Sequence, residues 1–240
     1  MNVDLVELKK KVDAQRALWS KTENWAKLGV PASYSMDYAL AIYAYTLETP
    51  SICDALNRSM FANKSVGSVS ARWAPTTAYS KELQACIPFA KYLDAALKAL
   101  PDSFKYTGTV HRGVKWVYPS PDDHNPAVHF AEGEETLWYE YKSTSRSEEV
   151  MDKPHFAGKR AGPRTIFYIH ATDAYSIEKF SFLQGKASEY EVLFRPLARF
   201  QVTGSEKRIL NPKEKRFTKK SGRPDAVYFT QVERTARETY

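Results

Sequence analysis

Cysteine is scarce in this chain of 240 residues, with only Cys53 and Cys86. Two thiols exclude a disulfide framework. Both fall in segments that read as helical, so they are expected as buried thiols in a reducing cytosol. Also lacking is any stretch near the roughly 18 consecutive apolar residues of a membrane span. Residues 1–16 alternate charged and apolar types around no apolar centre, which argues against a secretory leader. No segment repeats. These absences set the expectation of a cytoplasmic protein that acts inside a cell, with no membrane partner.

What is present describes an ordinary globular chain. It is 43% hydrophobic and 26% charged, and its 15 Tyr, 12 Phe and 5 Trp argue against disorder over most of its length. The formal net charge is +7. Eight basic residues (Lys207, Arg208, Lys213, Lys215, Arg216, Lys219, Lys220 and Arg223) lie between 204 and 223 against Glu206 and Glu214, a local charge of +6. The remainder is nearly neutral, so the basic character is a local device. Its lysines and arginines flank Phe217, a composition that suits a nucleic-acid backbone, an acidic partner or a solvated loop.

Periodicity divides the chain in two. Up to about residue 104 the pattern is helical: Leu5, Leu8, Val12 and Trp19 fall near one face, and Gly29-Val30-Pro31 is a break. Ser35 is a plausible N-cap for a helix through Tyr38, Ile42 and Tyr45, a short helix follows over 51–61, and Ser80 opens another that ends at Pro101. Pro88 predicts a kink there or two successive helices. From 105 onward, short runs rich in β-branched and aromatic residues predict strands at 106–110, 137–141, 165–170, 190–194, 200–202 and 227–232. Helices followed by strands indicate an α+β fold, with a helical lobe (1–104) packed on a β-rich core (105–240) carrying the basic loop 204–223.

Three stretches hold the chemistry. Arg112, in His111-Arg112-Gly113, is read at a strand end, where a guanidinium can grip a phosphate with two parallel hydrogen bonds and the adjacent glycine admits a ligand to the backbone. Ser143-Thr144-Ser145 is read as the close of the 137–141 run, with Ser143 and Ser145 on one face, able to orient a carboxylate or a ribose. Glu189 and Glu191 are read as neighbours on one face of a buried strand, about 6.5–7 Å apart. Like charges at that spacing repel, so one has a raised pKa or each has a partner.

The order Arg112, Ser143-Thr144-Ser145, Glu189-Tyr190-Glu191 resembles the Arg/Ser-Thr-Ser/Glu-x-Glu pattern of mono-ADP-ribosyltransferases. The resemblance spans about 105–203, including Ile177-Glu178-Lys179-Phe180-Ser181 and Phe200-Gln201-Val202. It implies a mixed β-sandwich ADP-ribosyltransferase-like core and NAD as substrate, with no metal. It also implies roles: Arg112 for the NAD pyrophosphate or ribose, and Gly113 near the nicotinamide amide. Ser143 would aim Glu191, with Thr144 and Ser145 in the same cofactor-binding stretch, and Glu191 would stabilise the oxocarbenium-like state as nicotinamide leaves. Glu189 would activate an arginine acceptor of a target protein.

Phe156 and Arg160 are the candidates for packing on nicotinamide and reaching phosphate, with His155 or Arg164 as substitutes. Residues 181–188 fall where the family has its substrate-recognition loop, with Gly185 as hinge. His111 before the arginine is shared with the diphtheria-toxin-like class, but the intact Ser-Thr-Ser run argues against that class. The expected settings are a phage-delivered enzyme, an injected effector or a toxin–antitoxin component with an inhibitory partner. The alternatives are ADP-ribosylation of RNA or DNA through the basic loop, and a binding module without turnover.

Overall fold

The computed structural model describes residues 3–63, 79–116, 118, 124–159, 162–207 and 224–233. Arg160 and most of the basic loop (208–223) lie outside them. The helical half begins with α1 (Leu5–Trp19) and α2 (Thr22–Leu28), followed by α3 (Met36–Thr46), α4 (Ile52–Ala62) and α5 (Lys81–Lys98). Four of these starts follow from side-chain caps: Asp4, Ser35, Ser51 and Ser80 each accept a hydrogen bond from a backbone N–H in the first turn. Gly29, at φ 75°, ends α2, which the sequence reading did not separate.

Of the two alternatives at Pro88, the structure removes two successive helices: α5 is one helix with Pro88 inside it. In α1 Trp19 is buried in the core and Val12 is partly buried against it, while Leu5 is 69% exposed, so the apolar stripe packs only toward its C-terminal end.

The β half is a seven-stranded sheet: β1 (Lys105–Val114), β2 (Glu135–Trp138), β3 (Lys142–Ser145), β4 (Thr165–Ser176), β5 (Glu191–Phe194), β6 (Ala198–Glu206) and β7 (Asp225–Val232). Its order is β1-β3-β5-β4-β7-β6-β2. Because β1 also pairs β4, from Lys105↔Tyr175 to Val114↔Thr165, strands β1, β3, β5 and β4 close on themselves. Among the described strand pairs only β4–β7 is parallel.

The predicted strand 137–141 is corrected to two separate strands. β2 ends at Trp138 against β6, while β3 starts at Lys142 against β5. Between them Tyr141 is fully buried in the helical lobe, and its hydroxyl donates to the Ala90 carbonyl of α5 at 2.8 Å. That anchor turns the chain from one end of the sheet to the other.

Two cores result. One lies within the β half, around Phe167, Phe194, Phe200 and Phe229. The other joins the helices to the sheet face carrying Tyr175, Ile177 and Leu193, centred on Phe180, whose ring lies 5.6–6.3 Å from those of Phe104, Trp19 and Tyr34. Phe180 precedes the segment that carries Glu189, so this packing fixes where that segment leaves the core. Truncation of such a buried aromatic costs about 3–5 kcal/mol. Arg195, just past β5, reaches Asp94 of α5 at 2.6 Å and ties the same strand to the helices. Cys53 and Cys86 are free and half-buried, less buried than expected.

Candidate active site

The register places the predicted motif side by side. Ser145 stands opposite His111 on β1 and opposite Glu191 on β5, so His111, Ser145 and Glu191 form a row across three strands on one face. Ser143 and Leu193 continue that face toward the helical lobe. Val192, on the other face, packs in the β core, and the Thr144 hydroxyl donates to its carbonyl at 2.7 Å.

A cleft of about 380 Å³ opens between this face and the helices. It brings together Ser143, Thr144, Ser145, Phe156, Glu189 and Glu191, and its helical wall includes Tyr45, Cys53 and Asp54. Phe182 and Leu183 of the segment before Glu189 also line it, and the Phe182 N–H donates to Thr46 Oγ1 at 3.2 Å.

Glu191 is the perturbed group of the cleft. Burial raises its pKa to about 7, the nearby Glu189 carboxylate adds to the rise, and a hydrogen bond with the Ser143 side chain opposes it. Burial likewise pushes the Cys53 thiol up to about 11 and raises Tyr45, which is hydrogen-bonded by Asn57 at 3.0 Å. The helical wall beside Glu191 is therefore uncharged at neutral pH at these two positions.

Glu189 and Glu191 are not neighbours on one strand. Tyr190 sits at φ 49°, in the left-handed region that side-chain-bearing residues rarely occupy, and β5 begins only at Glu191. Glu189 is thus held by a turn, and the hydrogen bonds of that turn offset its strain. The Ser145 hydroxyl donates to the Glu189 carbonyl at 2.7 Å. The Arg146 N–H donates to the Tyr190 carbonyl at 3.1 Å, and the Tyr190 N–H to Ser188 Oγ at 3.1 Å. Ser188 in turn donates to Glu178 at 2.9 Å, and Arg146 pairs with the same carboxylate. At the carboxylate of Glu189, Oε1 receives both Lys153 at 3.1 Å and His155 at 2.8 Å. Gly185, at φ 61° with open space around it, begins a single 3₁₀ turn (Gly185–Ala187) in this segment.

Arg112 and Gly113 do not line the cleft. They lie within β1, not at its end, because that strand extends to Val114. Val110, Arg112 and Val114 alternate onto the face opposite the His111 row. The Arg112 guanidinium donates to the Ser143 carbonyl at 2.8 Å, bracing the strand from behind. Burial lowers its pKa. Burial also lowers that of Lys142, with the Arg112 charge adding to the effect, while Lys142 pairs with buried Glu140. Two cations and one carboxylate leave this cluster positive. A side chain at Gly113 would meet the Ala157 backbone nitrogen at 2.8 Å, so a close packing contact accounts for this glycine. Arg164 is buried and donates to the Gly158 carbonyl, away from the cleft.

The sequence reading gave Lys153 no part and placed His155 only as a substitute for Phe156 or Arg160. Nothing in its local pattern points to Glu189, 34 residues away.

The family model described as NAD:arginine ADP-ribosyltransferase matches residues 5–213. No curated protein matches the sequence. Among solved structures, the ADP-ribosyltransferase HopU1 of Pseudomonas syringae pv. tomato superposes with a TM-score of 0.65 at 17% identity, covering 92% of this chain and 87% of that one. The ADP-ribosyltransferase Vis of Vibrio splendidus, solved with agmatine, gives 0.55 at 17% identity over 100% of this chain and 91% of that one. The type III effector XopAI of Xanthomonas axonopodis pv. citri gives 0.54 at 20% identity over 94% and 74%. At these identities the structural likeness speaks for the fold.

Proposed function

The chain belongs to the NAD:arginine ADP-ribosyltransferase family, and within that family we propose that it moves ADP-ribose from NAD to an arginine side chain of a host protein. As a mono-ADP-ribosyltransferase it consumes NAD and releases nicotinamide. The observation that carries the acceptor assignment is the placement of Glu189: a carboxylate, 19% exposed, on a braced turn beside Glu191 in the same cleft. A guanidinium is the side chain that pairs with a carboxylate through two parallel hydrogen bonds. Agmatine, the guanidine bound to Vis, has the same group. The effector among the structural relatives supports a host target.

In this reading Glu191 meets the nicotinamide ribose. Departure of nicotinamide leaves positive charge on the ribose, and a buried carboxylate fixed beside it stabilises that charge without reorganising solvent. Empty, the cleft raises the pKa of Glu191 to about 7. The pyridinium of bound NAD and the developing oxocarbenium both draw out the ionised form. The Ser143 side chain keeps the carboxylate oriented and assists its ionisation. Phe156, at the cleft wall, is assigned to the nicotinamide ring.

The test is incubation with labelled NAD and a cell lysate, followed by separate protease and nuclease digestion. Label lost to protease and released by hydroxylamine, which cleaves ADP-ribosyl-arginine, supports the assignment. Label lost to nuclease alone replaces it with a nucleic-acid acceptor.

A further inference from the structure

We propose that His155 is the base that takes the proton from the acceptor nitrogen, with Glu189 holding the imidazole in place; this rests on the guanidino acceptor proposed above. His155 Nε2 lies 2.8 Å from Glu189 Oε1, and both residues line the cleft with Glu191. An ionised carboxylate only accepts hydrogen bonds, so in the neutral ring Nε2 carries the hydrogen and Nδ1 is left with its lone pair. That is the arrangement by which a carboxylate fixes a tautomer and stabilises an imidazolium when the ring gains a proton.

The surroundings fit the role. Lys153 donates to the same Oε1 at 3.1 Å and to the Ala187 carbonyl at 3.4 Å, which anchors the carboxylate from the loop side. The ring of Phe156 lies 4.4 Å from the imidazole. The His155 side chain is 53% exposed, so a proton it accepts can pass to water. The other ionisable groups facing it across the cleft are Glu48, Asp54 and Cys53 of the helical lobe, Tyr45, and Glu191.

The step balances. The acceptor nitrogen forms a bond to the ribose C1′ as the bond from C1′ to the nicotinamide nitrogen breaks. The electron pair leaves with nicotinamide. The acceptor's proton goes to His155 Nδ1 and then to solvent, and the glycosylated guanidinium keeps its charge. Glu189 contributes orientation and electrostatic support, and the histidine supplies the proton acceptor.

The experiment measures transfer to agmatine and hydrolysis of NAD without agmatine, from pH 5.5 to 9, in the wild-type protein, His155→Asn and His155→Gln. The quantity read is the ratio of the two rates. Glu191 ionisation affects both rates and cancels, and a shortage of folded enzyme lowers both alike. The proposal expects the wild-type ratio to rise with pH. In both variants the ratio falls by about a hundredfold and loses its pH dependence, and added imidazole restores part of it. A variant ratio that keeps the wild-type pH course, whether or not it is lower, overturns the proposal while leaving the guanidino acceptor intact. Wild-type protein that hydrolyses NAD but never modifies agmatine overturns the acceptor reading and this inference with it.

Discussion

Ser145 stands directly across the β3–β5 ladder from Glu191, yet its hydroxyl donates to the carbonyl of Glu189, at 2.7 Å. The residue opposite Glu191 thus serves the turn that presents Glu189. Ser145→Ala is therefore expected to loosen the Glu189 turn and to lower transfer to agmatine about tenfold more than it lowers NAD hydrolysis. One buried hydrogen bond of about 1–1.5 kcal/mol sets that scale. Steady-state rates for both reactions in one preparation check it.

Ser143 acts on the other carboxylate. Because its hydrogen bond favours the ionised form of Glu191, removing it raises a pKa that already stands at about 7. In the wild-type protein kcat/KM for NAD hydrolysis should fall about tenfold per pH unit below that value, since it reports the free enzyme. Ser143→Ala should move this acid limb upward. A limb that moves down, or stays in place, contradicts the hydrogen bond's role.

The same shift has a consequence for stability. Glu191 is raised in the folded protein from an unfolded value of 4.5 to about 7. The folded state therefore binds the proton more tightly, and the stability this supplies is complete below pH 4.5 and lost as pH rises through about 7. Glu191→Gln keeps a neutral side chain throughout. It should be more stable than wild type at pH 8, by at most about 3 kcal/mol, and should show no advantage below pH 4.5. Denaturant unfolding at the two pH values measures the difference.

How much of this was legible in the sequence differs from residue to residue. Ser35, Ser51 and Ser80 cap helices where the pattern put helix starts. The Ser-Thr-Ser run pairs with the strand of Glu191, and the α+β architecture follows the change of period near 105. The break between β2 and β3 was hidden because Leu137 to Tyr141 is dominated by aromatic residues, with no Gly or Pro to mark an end. What breaks it is distant, the Ala90 carbonyl on α5 that receives the Tyr141 hydroxyl. The left-handed turn was hidden because tyrosine is not a residue that signals positive φ; Tyr190 is held there by Arg146 and Ser188, not by its own preference. The pairing of Lys153 and His155 with Glu189 depends on that turn and had no local signature.

The division of labour between Glu191 and Glu189 is the centre of the account, and one comparison tests it most directly. Wild-type, Glu191→Gln and Glu189→Gln proteins are incubated with NAD and agmatine, and nicotinamide release and ADP-ribosyl-agmatine are measured together. The account predicts that Glu191→Gln loses both products by about a thousandfold, the scale of removing a preorganised electrostatic group. Glu189→Gln should lose ADP-ribosyl-agmatine at least a hundredfold more than nicotinamide release. Nicotinamide release that falls equally in the two variants, or survives in Glu191→Gln, contradicts it.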